Sequence, residues 1–113
     1  MFTSVSFVAM NSALDGLALR QRVIADNVAN INTPGFLAGR VSFEDSLRAA
    51  VSDGSGAVSP RVARSLEPTR TNGNNVNLDT ETLSNVDTGL RYQLATQAVD
   101  GTFSRLRTAM RSA

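Results

Sequence analysis

The sequence predicts a mainly α fold in which two long terminal helices pair as a coiled-coil-like unit around a short, irregular and partly extended middle segment. Three observations carry this. Apolar residues keep a heptad spacing through residues 7–31, a second apolar period runs through residues 83–110, and Gly, Ser, Pro and Asn gather between them. The expected division is 1–32 for the N-terminal helix, 33–77 for a turn, a short helix and a flexible loop, and 78–113 for the C-terminal helix. At 113 residues the three parts make at most one small domain.

The first helix rests on Phe7, Met10, Leu14, Leu17, Gln21, Ile24, Val28 and Ile31, which alternate three and four apart with Gln21 as the one polar member. That is the seam of a left-handed coiled coil, and a polar seam residue fixes register at some cost in stability. A helix of this length spans ~39 Å at 1.5 Å per residue. Such regularity favours a helix that joins a bundle over one that only covers its own domain. The helix ends in "IADNVANINTPGF". Pro34 disfavours helical geometry at Thr33, Gly35 can take a left-handed conformation, and Asn32 can bond freed backbone groups in the turn. Asn27 and Asn30 lie three apart on one helix face, where they can bond a neighbouring helix.

In the middle, "SFEDSLRAAV" predicts a short helix with Ser42 as N-cap and with Phe43, Leu47 and Val51 on one face. "SDGSGAVSP" has the composition of a flexible linker, "RVARSLEP" of a short extended piece, and "TNGNN" of a turn. The second long helix is expected from an Asp79 N-cap, with Leu78 and Leu83 at the positions of a hydrophobic staple. Asp79 and Glu81 suit its positive end and Arg105, Arg107 and Arg111 its negative end. Leu83, Val86, Leu90 and Leu94 make one apolar stripe; Val99, Phe103, Leu106 and Met110 make another, displaced around the helix, so more than one neighbour is expected. Gly89 and Gly101 weaken the helix by ~1 kcal/mol each and suit a close approach by another helix.

Composition excludes much chemistry. There is no Cys and no His, hence no thiol nucleophile, imidazole base, disulfide or ordinary zinc site. A net charge of +1 does not imply a nucleic-acid partner. No Walker or Rossmann glycine pattern occurs, the acids are scattered, and "NGNNVNLDTE" lacks calcium-loop spacing. No enzyme activity, cofactor or metal is expected. No apolar run is long enough to span a membrane, and the first basic residue is Arg20, which argues against a cleaved secretory signal.

"ADNVANINTPGF" resembles the N-terminal signature of the flagellar axial protein family of rod, hook and hook-associated proteins, carried here by Ala25, Asn27, Asn30, Asn32, Thr33, Pro34, Gly35 and Phe36. "GNNVNLDTE", with Asn74, Asn75, Val76, Leu78 and Asp79, together with "LRYQLATQAVDGTFSRLRTAM", is similar to the proximal-rod branch of that family, as is "VSFEDSL". Phe36 stands where Tyr is common and Thr102 where Lys is expected. The resemblance implies one D0-like domain, export through the flagellar type III apparatus without signal cleavage, and assembly into a helical tube in the cell envelope that transmits torque and forms the export channel. Implied partners are further copies of the chain, other rod proteins, a FliE-type adaptor, the MS ring and the export gate. The competing reading is a free-standing helical adaptor or export chaperone. It differs in being stably folded alone in dilute solution.

Overall fold

The computed structural model describes residues 4–112; the expected element ends at residues 1–3 and 113 lie outside the described residues. In chain order the elements are α1 (Val5–Ala29), β1 (Gly39–Val41), α2 (Glu44–Ser52), β2 (Val62–Arg64) and α3 (Leu78–Ser112). The molecule is elongated, 66 × 26 × 15 Å. α1 and α3 pack side by side and antiparallel, as contacts from Asn27 to Glu81 and from Phe7 to Phe103 require. The long-helix pair with a strand-containing middle is the architecture the heptads predict.

α1 starts where the Ser4 hydroxyl accepts a hydrogen bond from the Phe7 N–H (3.2 Å), and it stops at Ala29 with Asn30 as C-cap. Ile31 is therefore in the turn rather than on the helical seam. Of the seam, Leu17 and Ile24 are buried, Phe7, Met10, Leu14 and Gln21 are half-buried, and Val28 is exposed. On its flank α1 also carries the middle segment. β1 and β2 form a two-stranded antiparallel sheet with Arg40 opposite Ala63, and the core joins Leu17 to Val41 and Phe43. The Phe43 ring lies where a side chain on Gly16 would be: a Cβ there would come within 2.6 Å of it.

Several local expectations need correction. α2 begins after Phe43, not Ser42, and no side chain caps it. The ring drawn against Gly16 fixes the start of the helix, leaving Ser42 exposed. Its inward face is Phe43, Leu47 and Ala50, while Val51 is 45% exposed. The Gly/Ser stretch is not a free linker. Gly56 (φ +67°) is buried against α1, where the Ser12 hydroxyl donates to its carbonyl (2.9 Å) and accepts from the Val58 N–H (3.2 Å). A Cβ at Gly56 would sit 2.7 Å from the Val5 carbonyl oxygen, so glycine is required there for space as well as for conformation.

α3 is capped by Asn77, whose Oδ1 accepts from the Asp79 and Thr80 N–H groups (2.9 and 3.2 Å), and not by Asp79. Leu78 and Leu83 are both more than half exposed, so the expected staple buries little. The largest revision concerns which face of α3 meets α1. It is not the Leu83–Val86–Leu90–Leu94 stripe, whose members are 58–72% exposed. The inward face is Glu81, Thr88, Tyr92, Ala95, Val99 and Leu106, all buried or half-buried and spaced seven, four, three, four and seven apart. Phe103 reaches Phe7 edge-on with centroids 5.6 Å apart, whereas Met110 is 69% exposed. Gly89 and Gly101 admit no close helix within the subunit, since a Cβ at Gly89 would meet nothing within 4 Å and one at Gly101 only the Arg105 side chain at 3.6 Å.

Candidate assembly site

The two sequence motifs, separated by 36 residues, fold into one hydrogen-bonded knot at the end of the molecule where α1 stops and α3 starts. A helix C-terminus leaves carbonyls without partners, and here side chains from the second motif supply them. Asn74, fully buried, donates from Nδ2 to the Asn30 and Thr33 carbonyls (2.8 and 2.9 Å). Its Oδ1 accepts from the Val76 N–H (2.8 Å) and from Arg70 Nη2 (3.0 Å). The same guanidinium donates to the Ile31 carbonyl (2.6 Å) and, through Nη1, to that of Val76 (2.7 Å). Asn75 bonds the Ala38 N–H through Oδ1 (2.7 Å) and the Ser65 and Glu67 carbonyls through Nδ2. Gly35 (φ +76°) turns the chain as its sequence position predicts, and its N–H reaches the Asn72 carbonyl (2.8 Å).

Asn27 does what its position on the helix suggests. Fully buried, it donates from Nδ2 to Glu81 Oε1 of α3 (2.7 Å) and to the Gly39 carbonyl (3.0 Å), and its Oδ1 accepts from the Gly39 N–H (2.8 Å). These bonds lie within one subunit. The Glu81 carboxylate, itself fully buried, takes its second partner from Arg40 Nη1 (2.9 Å). Arg40 Nη2 is buried at 3.9 Å from Glu67 Oε2, near enough for an ion pair but too far for a hydrogen bond. Asn30 departs from expectation. Its side chain bonds the Asp26 carbonyl (2.8 Å) and accepts from the Thr33 hydroxyl (3.1 Å), so it caps the helix and does not reach across to α3. Asn32, Thr33 and Pro34 are exposed.

A second junction ties all three helices. Arg20 of α1 grips both oxygens of Glu44 on α2 (2.8 and 2.7 Å), bonds the Val41 carbonyl, and lies 5.0 Å over the Phe43 ring. Arg91 of α3 approaches the same carboxylate at 3.5 Å and bonds Asp87 at 2.9 Å. The hydrogen bonds from Arg20 outweigh the opposing effect of burial and hold the Glu44 carboxyl down at about 2.

The chain's likenesses to known proteins agree with this geometry. Residues 9–36, α1 from its fifth residue through the turn, match the profile of the family described as flagella basal body rod protein. The FlgB rod protein of Borreliella burgdorferi is 34% identical over 106 residues, covering 74% of this chain and 78% of that protein. The chain belongs to the flagellar basal body rod protein FlgB family. FlgB of Bacillus subtilis, 29% identical, and FlgB of Escherichia coli, 28% identical, are covered over 89% and 88% of both chains. Membership of the FlgB family brings a structural role in the rod of the basal body, where rod subunits assemble together. Among the described residues no helix is long and apolar enough to cross a membrane.

Within this FlgB-family chain, the sequence motifs hold Asn27, Asn74, Asn75 and Glu81, whereas their partners Gly39, Arg40 and Arg70 lie outside them. Read from the sequence, Glu81 suits the helix dipole, which does not point to Asn27. The signal that could have found it is the second period on α3, since Glu81 stands at the head of the row Thr88, Tyr92, Ala95 and Val99.

Proposed function

We propose that this chain is a subunit of the proximal rod that builds the tube wall with copies of itself and with other rod proteins. On this reading it is exported unfolded by the flagellar type III apparatus, passes into the periplasmic space without signal cleavage, and has no enzymatic role. At the base of the rod it meets a FliE-type adaptor, the MS ring and the export gate, and the finished tube transmits torque and conducts later exported subunits. The observation that carries the reading is the ridge Leu83, Val86, Leu90 and Leu94. It runs along α3 opposite the face that α1 occupies and leaves four large apolar side chains more than half exposed. Contiguous exposed apolar surface of this kind marks a protein interface. Of the rest of the assembly seam, Leu17 and Ile24 are buried within the subunit and Phe7, Met10, Leu14, Gln21, Ile31, Val99 and Leu106 are half-buried, while Val28, Phe103 and Met110 remain exposed.

The test is Leu90→Asp, read as secretion into the medium or periplasm and as incorporation into purified basal bodies. Secretion should persist while incorporation and motility fall. A variant that enters basal bodies at the normal level would remove the ridge from the tube wall. A chain that stays in the cytoplasm as a stable soluble species would favour the chaperone reading.

A further inference from the structure

Asn72–Gly73 is the one Asn-Gly step in the chain, and it lies in the turn that closes the asparagine knot. Such a pair carries a reaction of its own. The glycine backbone nitrogen attacks the Asn side-chain carbon, the Cγ–Nδ2 bond breaks, and ammonia leaves behind a cyclic succinimide. Water then opens the ring at one carbonyl or the other. One product is Asp; the other is isoaspartate, in which the main chain runs through the former side-chain carbon. Glycine favours the attack because it has no Cβ to crowd the approach. The nitrogen must also give up its proton and swing towards Cγ, so hydrogen bonds that pin either group oppose the reaction.

Both groups are pinned in the folded chain. The Gly73 N–H donates to the Arg70 carbonyl (2.9 Å), and Asn72 Oδ1 accepts from the Asn74 N–H (3.1 Å). The Asn72 carbonyl is held by the Gly35 N–H (2.8 Å), and the Arg70 N–H closes the loop on the Asn74 carbonyl (2.8 Å). Asn72 itself is exposed, so these bonds and not burial are what protect it. We infer that Asn72 is a site of spontaneous deamidation that the closed knot holds in check, intact in the folded subunit and reactive in the chain before it folds. The isoaspartate product lengthens the main chain by one bond, about 1.5 Å. It does so where there is no slack, since even a Cβ on Gly73 would come 3.2 Å from the Gly35 Cα. A chain that reacts before folding therefore loses the register between Asn72 and Gly35 and closes the end of α1 poorly.

The test follows Asn72 by peptide mapping of the full-length chain, held at mildly alkaline pH in buffer and in guanidinium chloride, with isoaspartyl methyltransferase labelling to mark the isoaspartate product. Reaction in denaturant should outpace reaction in buffer by at least roughly tenfold, the equivalent of about 1.4 kcal/mol of local opening. Gly73→Ala should slow it in denaturant, where the folded turn plays no part. Asn74→Ala opens the knot and should speed it in buffer. Asn11, which precedes Ser12 within α1, is the internal reference and should stay unreacted in that variant. Chain aged in denaturant should refold with faster amide exchange in residues 30–38 than unaged chain. Equal rates in buffer and denaturant, or no reaction at Asn72 in either, overturn the inference. An unchanged rate in Asn74→Ala overturns the protective role of the knot, and release of Asn72 and Asn11 together in that variant assigns the protection to the whole fold instead.

Discussion

Asn27 is a mediocre helix former placed near the end of a helix, and its three hydrogen bonds account for it. Asn27→Ala gains a few tenths of a kcal/mol of helix propensity. Against that, it strands the Gly39 N–H and removes one partner from a buried carboxylate, a loss of about 2–4 kcal/mol. The urea midpoint of the folded chain should fall accordingly, and Asn27→Asp should be worse because it sets a second carboxylate against Glu81. Asn30→Ala should lose only about 1 kcal/mol, as at other caps. Equal midpoints for the two alanine variants would contradict this assignment. Sequence spacing alone puts both asparagines on one face. It cannot reveal that the helix ends between them, or that β1 crosses beside the first, because both facts depend on bonds to residues 39 and 74.

At the scale of the element, α3 is the helix with two faces. The apolar stripe at Leu83–Leu94 was legible as a seam, but its owner was not: apolar spacing says that a face is buried in something, not in which chain. The inward row was harder to see because Glu81, Thr88 and Ala95 are not bulky apolar residues. The two faces should separate in experiment. Ala95→Asp, packed against the Leu17–Val41–Phe43 core, should unfold the isolated subunit, whereas Leu90→Asp should leave its circular dichroism unchanged. The three-helix junction adds a pH dependence. The Glu44 carboxyl is held near 2, below its usual 4.5, so the unfolded chain binds the proton more readily. Its contribution is complete above about 4.5 and is lost as pH falls from there through 2. With the side chain 37% exposed, solvent screening limits the effect to about 1 kcal/mol. Glu44→Gln should lower stability at neutral pH and flatten the decline below pH 4.5; an unchanged acid limb in thermal melts would rule the junction out as its source.

Over the whole molecule, what the sequence revealed least was how the middle is held. Its composition suggests a slack connection, yet Gly56 is packed under Ser12, Phe43 sits on Gly16, and the 70–76 stretch closes the end of α1. None of these contacts has a local signature, because each partner is tens of residues away. Asn74→Ala should therefore act at a distance. It frees the Asn30 and Thr33 carbonyls and the Val76 N–H together, and should raise amide exchange both in residues 30–38 and in residues 70–78. Faster exchange in only one of the two stretches would mean that they are not a single unit.

Antiparallel pairing of the first and last helices also has a consequence in time. Phe7 needs Phe103, and Asn27 needs Glu81, so the contacts that complete the subunit join the earliest part of the chain to the latest. A polypeptide that emerges N-terminus first can form the sheet, α2 and the Asn74 knot while α3 is still to follow. The inward face of α1 stays uncovered until the last helix arrives. Closure is thus the final event by geometry, and a chain cut short at any point before α3 is left holding an open seat shaped for the missing helix.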